Sequence, residues 1–186
     1  SIEAGSFPHT GGLVEKFGKR RVVDTPLSEP NLVGCAMGSA QEGLRPVLDI
    51  MYAGFSYYAG SELFIQASQY HLLHGSQHPL PMVIMGGCGI GRRIANEHSM
   101  LPYGALIHHP GIKVCMPSTP YDAKGLLISA FEDGNPVLFL EHKLLYRSAR
   151  GRVPDGHYAL PIGQARVVRE GRDATIVTYG IGLSWA

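Results

Sequence analysis

Short apolar runs alternating with longer stretches of helical spacing are the feature that most restricts how this chain can fold. Residues 81–85 and 137–140 are almost continuously apolar, the mark of strands covered on both faces. Residues 21–24, 46–51 and 112–116 also read as strands. Between them, Ser28 caps a helix that runs through Leu32, Val33, Ala36, Met37 and Ala40 and stops at Gly43. Residues 55–74 are helical in spacing, with Leu63, Phe64, Ala67, Tyr70 and His71 on one side, and residues 120–132 form a helix halted by Gly134. Strand and helix alternating at this rhythm predict an α/β fold, a doubly wound, mostly parallel sheet with helices on both faces. The texture changes after Glu141. Residues 147–161, rich in Arg, Gly and Pro, read as linker, and residues 164–169 and 175–179 as two strands opening a second α/β domain. The expected division is a first domain over 1–146, a linker over 147–163 and the beginning of another domain over 164–186, in a piece of something longer.

Charge and cysteine content narrow the function classes. Sixteen Lys and Arg against fifteen Asp and Glu give a net charge of +1, so no basic field predicts a nucleic-acid partner. The apolar runs are far shorter than the ~20 residues of a membrane helix, and no membrane partner is expected. Cys35, Cys88 and Cys115 are isolated and form no Cys-x-x-Cys pair, which argues against a disulfide framework or thiolate zinc site and for a reducing compartment, the cytoplasm or a mitochondrial matrix. Glycine is abundant, 24 in 186 residues, as expected where backbone must turn tightly or come close to something.

Several residues invite a functional reading, each beside a plainer one. The run Gly86-Gly87-Cys88-Gly89-Ile90-Gly91-Arg92-Arg93 follows a strand, but it lacks the spacing of a dinucleotide fingerprint and the Gly-Lys-Ser/Thr of a Walker loop. It is a ligand-facing loop or a turn, and Arg92 and Arg93 either hold an anionic substrate group or sit in water. His71, His74 and His78 could share a helix face as metal ligands, yet histidines also suit a helix C-terminus. Glu29 in the first turn of its helix complements the helix dipole or does chemistry. His98, placed where a helix is expected to open, is a cap or a catalyst; Phe55 is core or ligand plate.

These signals recur in a fixed order. Arg21-Val-Val-Asp-Thr-Pro-Leu-Ser-Glu29, Gly43-Leu-Arg-Pro46, Phe55, Glu97-His98-Ser99, His109-Pro-Gly-Ile-Lys-Val114, Pro117-Ser-Thr-Pro-Tyr-Asp-Ala-Lys-Gly125, Asn135-Pro136 and Glu141 form a series. From about Gly12 to Gly180 it resembles the beta subunits of thiamine-diphosphate-dependent 2-oxo acid dehydrogenases of the pyruvate, branched-chain and acetoin types. The resemblance implies a transketolase-like pyrimidine-binding domain. It implies that Glu29 hydrogen-bonds a ring nitrogen of the cofactor's aminopyrimidine and promotes the imino form that activates the thiazolium. Phe55 would stack on the pyrimidine, and His98 would exchange protons near the reacting carbon. Met82, Ala130, Phe131, Asp133 and Asn135 match positions that bind potassium in some relatives, mostly through backbone oxygens. Glu97, Met100, residues 52–54 and the Arg92-Arg93 pair depart from the usual pattern, on the substrate side.

No Gly-Asp-Gly occurs in the chain, and that motif carries the magnesium and diphosphate in such enzymes. The resemblance therefore implies an alpha subunit that completes the site in an alpha2-beta2 heterotetramer, with acyl transfer to a lipoyl acyltransferase. Two rival expectations stand beside it: a carboligase or transketolase-like subunit using the same cofactor, and a non-catalytic assembly domain.

Overall fold

The computed structural model describes residues 8–186. The first seven residues of the expected first domain lie outside the described residues. Helices α1 (Leu13–Phe17) and α2 (Glu29–Gln41) lead into strand β1 (Val47–Tyr52). A 3-10 turn (Ala53–Tyr57), a π-helical segment (Ser61–Ala67) and α3 (Ser68–Leu73) connect it to β2 (Val83–Cys88). Then come α4 (Tyr103–Ile107), β3 (Lys113–Cys115), α5 (Pro120–Glu132), β4 (Val137–His142), α6 (Leu145–Ser148) and α7 (Gly182–Trp185). The strands form one sheet in the order β1-β2-β4-β3, and every pairing is parallel. The α/β architecture expected from the alternation is the one found.

The register explains why the central strands are apolar as far as their carboxyl ends. Leu48, Ile84, Leu138 and Leu140 face α2, the π-helical segment and α4, sharing a core with Val33, Met37, Leu63, Ala67 and Leu106. Alternate residues Val83, Met85, Val137 and Phe139 face α5, packing with Ala130, Leu126 and Leu127. A strand sandwiched between two helical layers has no polar face to show. Burying a Leu or Phe side chain stabilises by roughly 1.5–3 kcal/mol, so β2 and β4 hold the domain together.

Local chemistry sets the helix boundaries. Thr119 caps α5, its Oγ1 accepting from the Asp122 N–H at 3.1 Å and donating to Asp122 Oδ2 at 2.7 Å, and Pro120 follows at the first helical position, where its missing N–H costs nothing. Ser28 is the N-cap of α2 as expected, but its side chain makes no capping bond. Residues 55–74 keep the expected buried side, yet the segment is not one α-helix: a 3-10 turn gives way to a π turn and then to α3. The side chains of Leu63, Ala67 and His71, four apart, tolerate that change of winding.

Three expected strands are absent. Residues 21–24, 164–169 and 175–179 are extended or turned and pair with no strand among the described residues. β-branched residues favour a pleated surface only where a neighbour supplies the ladder. The stretch expected as a linker is strapped along α5. Leu160 N–H donates to Gly125 O at 3.2 Å, Tyr158 stacks on Tyr121 at 4.8 Å, and Lys124 reaches the Pro154 carbonyl. A Cβ on Gly125 would lie 2.6 Å from Leu160 Cγ, so glycine there lets the strap lie flat.

Among the described residues, no helix is long and apolar enough to cross a membrane.

Candidate functional site

All four strands are parallel, so their carboxyl ends share one edge of the sheet, the edge at which open α/β sheets place ligands. β1 delivers Tyr52 and, one turn later, Phe55; β2 delivers the loop that carries Arg92, Arg93 and His98; β4 delivers Glu141, His142 and Lys143. α2 is joined to the start of β1 by a short connection and packs against it. Thirteen helical residues and six strand residues each span about 20 Å, so the first turn of α2, with Glu29, returns to this same edge.

At its centre is an aromatic cluster. The His98 ring lies edge-on to Tyr52 at 4.5 Å and to Phe55 at 5.5 Å between centroids. Tyr52 and Phe55 meet edge to face at 5.5 Å, and Tyr58 leans on Phe55 at 5.8 Å. Two glycines permit this crowding. A Cβ on Gly86 would lie 2.9 Å from the Ala53 nitrogen, and one on Gly54 would lie 2.9 Å from Met100 Sδ and 3.0 Å from the Glu97 carbonyl. The backbone is strained here as well. Met51 has φ +64° at a bulge between Asp49 and Tyr52, held by its N–H donating to Asp49 Oδ1 at 2.8 Å, and Arg93 and Ala95 have φ +54° and +68°. Non-glycine residues in the left-handed region gather where surroundings over-determine them, commonly at functional sites.

Among the described residues His98 Nδ1 is buried without a hydrogen-bond partner; Glu97 Oε1 is 3.6 Å away, beyond hydrogen-bond reach. His98 does not open a helix: it sits in an irregular loop, and α4 begins only at Tyr103. Glu29 is half-buried at the start of α2, and no hydrogen bond or ion pair reaches its carboxylate from the described residues. Phe55 and His98 are thus brought into contact, whereas Glu29 shares their edge without touching either. Arg92 and Arg93 are exposed on the rim.

Lys143 is the site residue that sequence reasoning missed, and Tyr52 entered it only within the unusual stretch 52–54 on the substrate side. Lys143 is 2% exposed; its ammonium donates to the His98 carbonyl and stands 5.3 Å from the Tyr52 ring centre. Burial, with the nearby charge of Arg92, holds its pKa below that of an ordinary lysine, although Cys88 acts in the opposite direction. No local sequence signal marks it, since a lysine just after a strand is ordinarily solvated. Next to it, burial and the Lys143 charge depress His142. The His142 ring fills the space a Cβ on Gly89 (φ +82°) would need. Burial pushes the Cys88 thiol up to about 12, so it is no nucleophile.

A second group lies on the α5 side of the edge. His9 Nε2 stands 3.5 Å from Asp49 Oδ2, and Tyr146 donates to Glu141 Oε2 at 2.9 Å. The Asp49 bond raises His9. Burial raises Glu141 against the Tyr146 bond. A pocket of about 220 Å³ opens beside Glu141, Tyr146 and the first turn of α5.

The five potassium candidates meet at the opposite, amino edge. The Phe131 and Asp133 carbonyls both accept from Arg45 Nη1, Asp133 Oδ2 takes Lys113 Nζ at 2.5 Å, and Asp133 Oδ1 takes the Asn135 N–H at 2.9 Å. The Met82 carbonyl takes Val137 N–H at 2.9 Å, and Ala130 is buried against the sheet. Arg45 and Lys113 already hold the Phe131 and Asp133 oxygens, so a potassium ion would take those carbonyls only with Arg45 displaced. Among the described residues no three His, Cys, Asp or Glu side chains converge as metal ligands, the His71, His74 and His78 series included.

Residues 2–149 match the family described as the transketolase pyrimidine-binding domain. The chain is 46% identical over 172 residues to the beta subunit of acetoin:2,6-dichlorophenolindophenol oxidoreductase from Cupriavidus necator, covering 92% of this chain and 50% of that one. It is 42% identical to the beta subunit of 2-oxoisovalerate dehydrogenase from Bacillus subtilis, covering 99% and 56%, and 44% identical to the beta subunit of the pyruvate dehydrogenase E1 component of the same organism, covering 96% and 55%. The chain spans about half the length of these relatives. A solved structure described as a split-gene transketolase, inactive beta4 tetramer, shares the fold with TM-score 0.67 at 23% identity, covering 97% of this chain and 55% of that one.

Proposed function

The chain belongs to the transketolase pyrimidine-binding domain family, and from that premise we propose that its carboxyl edge binds the aminopyrimidine end of thiamine diphosphate. In this reading it is the beta subunit of a heteromeric 2-oxo acid dehydrogenase. The observation that carries the site is the buried, partnerless His98 Nδ1 held against the Phe55 ring. An aromatic plate beside an imidazole with an unused ring nitrogen suits a flat, polar heterocycle and a reacting oxygen next to it.

Thiamine diphosphate would supply the nucleophilic carbon that attacks the keto group and stabilise the charge left when carbon dioxide departs. The chain's own residues do the rest. Phe55 presents an apolar face that excludes water at little entropic cost. Glu29, with no partner of its own among the described residues, hydrogen-bonds a ring nitrogen of the heterocycle. His98 holds or delivers a proton at the substrate-derived oxygen. Arg92 and Arg93, on the rim, attract the anionic substrate.

In this reading an alpha partner in an alpha2-beta2 heterotetramer supplies the Gly-Asp-Gly motif and with it the hold on magnesium and diphosphate, and the acyl group then passes to a lipoyl acyltransferase. Exposed Ile65 (62%), Leu72 (77%) and Leu73 (70%) beside the site-bearing segment support a covered interface. Residues 164–186 begin a second domain, and the reduced cysteines favour a cytoplasmic or matrix setting. The names of the relatives favour oxidative decarboxylation over carboligation.

The test is co-expression of the full-length beta chain with its alpha partner, followed by 2-oxo acid-dependent reduction of an artificial electron acceptor. Turnover requires added thiamine diphosphate, and Glu29→Gln lowers it by about 10²–10⁴-fold. A Glu29→Gln complex of full activity would overturn the assignment.

A further inference from the structure

We propose that Lys143 is a positioning residue: its ammonium clamps the main chain at His98 and so fixes the imidazole against Phe55. The inference rests on the function proposed above for His98, but the clamp itself is a property of the fold. The loop from Gly89 to Leu101 forms no helix or strand, and two of its non-glycine residues, Arg93 and Ala95, adopt the left-handed region. Its internal bonds, Ser99 N–H to Asn96 O at 2.8 Å and Ser99 Oγ–H to Ala95 O at 2.9 Å, shape the turn but do not attach it to the sheet.

Lys143 makes that attachment. Its N–H donates to Cys88 O at 3.0 Å, continuing the β4–β2 ladder by one residue, and its side chain then crosses to the His98 carbonyl under the Tyr52 ring. One residue thereby ties the ends of β1, β2 and β4 to the loop. Among the described residues no carboxylate lies within 4 Å of the ammonium, although the residue is 2% exposed. Burying a cation with only a carbonyl and a ring for company is a poor way to stabilise a fold, and an apolar side chain of similar volume would fill the space more favourably. What the ammonium adds is direction. It fixes one carbonyl, and through it the Cα–Cβ vector of the adjacent imidazole, whose placement within about an ångström governs proton transfer.

The experiment compares wild type, Lys143→Met, Lys143→Arg and Tyr52→Leu in the complex of the full-length beta chain with its alpha partner. Hydrogen exchange of residues 94–101, measured without cofactor, is expected to speed up about tenfold or more in Lys143→Met while the strands stay protected. In turnover, kcat per cofactor-loaded complex is expected to fall about 10–100-fold with thiamine diphosphate affinity within about threefold of wild type. Lys143→Arg, which keeps a buried donor, recovers part of the loss, and Tyr52→Leu loses less than Lys143→Met. Unchanged exchange at 94–101, or unchanged kcat, in folded Lys143→Met overturns the clamp. If Lys143→Met fails to assemble, Lys143→Arg and Tyr52→Leu decide: wild-type exchange and kcat in both overturn it. A wild-type complex without turnover refutes the proposed function instead, and the exchange result still judges the clamp.

Discussion

The two edges of the sheet treat their polar groups in opposite ways. At the amino edge, Arg45 and Lys113 are matched to the carbonyls and carboxylate of the α5 terminus, and Asn135 closes the remaining oxygen of Asp133. At the carboxyl edge, among the described residues, a buried lysine has no carboxylate, a buried imidazole nitrogen has no hydrogen-bond partner, and residues with positive φ surround the aromatic cluster. Satisfied polar groups hold a helix end in place. Unsatisfied ones, kept at a cost in stability, mark where another molecule is meant to complete the arrangement. One sheet thus carries an anchoring end and a working end.

Substitutions at the two ends should separate accordingly. The largest effect is expected from His98→Ala, which should lower turnover of the assembled complex by about 10²–10⁴-fold while thermal unfolding stays close to wild type; equal loss of stability and turnover would erase the distinction. Next comes Gly54→Ala. The new methyl would press on the Glu97 carbonyl and Met100, pushing the His98 loop away from Phe55. Turnover should drop by up to about 10²-fold, read against unfolding curves that move little.

Asp133→Ala tests the other end. It strips Lys113 and Asn135 of their acceptor and should cost roughly 1–3 kcal/mol in denaturant unfolding, with turnover per folded complex unchanged. The smallest expected effect is on pH dependence. Burial raises the Asp133 pKa, but the Lys113 and Asn135 bonds outweigh it, and the folded value lies below the ordinary carboxylate range. A depressed folded pKa gives stability that is complete above the unfolded value and lost as pH falls through the folded one. Between neutrality and about pH 4 this contribution should hold, and it should fade below; an Asp133→Asn chain should lack that component of the acid-side slope.

The sequence made the anchoring half easier to read than the working half. β2 and β4 announce themselves by the apolar runs 81–85 and 137–140 of strands covered on both faces, and α5 by the helical stretch 120–132 halted by Gly134. Residues 21–24, 164–169 and 175–179 misled because strand propensity is expressed only beside a partner strand. Phe55 and His98 were legible as a pair only through a family resemblance, since 43 positions of chain separate them and two glycines make their contact possible. Lys143 was invisible for a physical reason. A lysine after a strand is ordinarily solvated, and nothing local reveals that this one turns inward beneath Tyr52.

The most direct test of the working edge is calorimetric titration of thiamine diphosphate into the assembled alpha–beta complex, with wild-type and Phe55→Ala beta chains. Saturable binding that weakens by about tenfold or more in Phe55→Ala is the predicted result. Identical isotherms for the two complexes would contradict the claim that this edge receives the heterocycle.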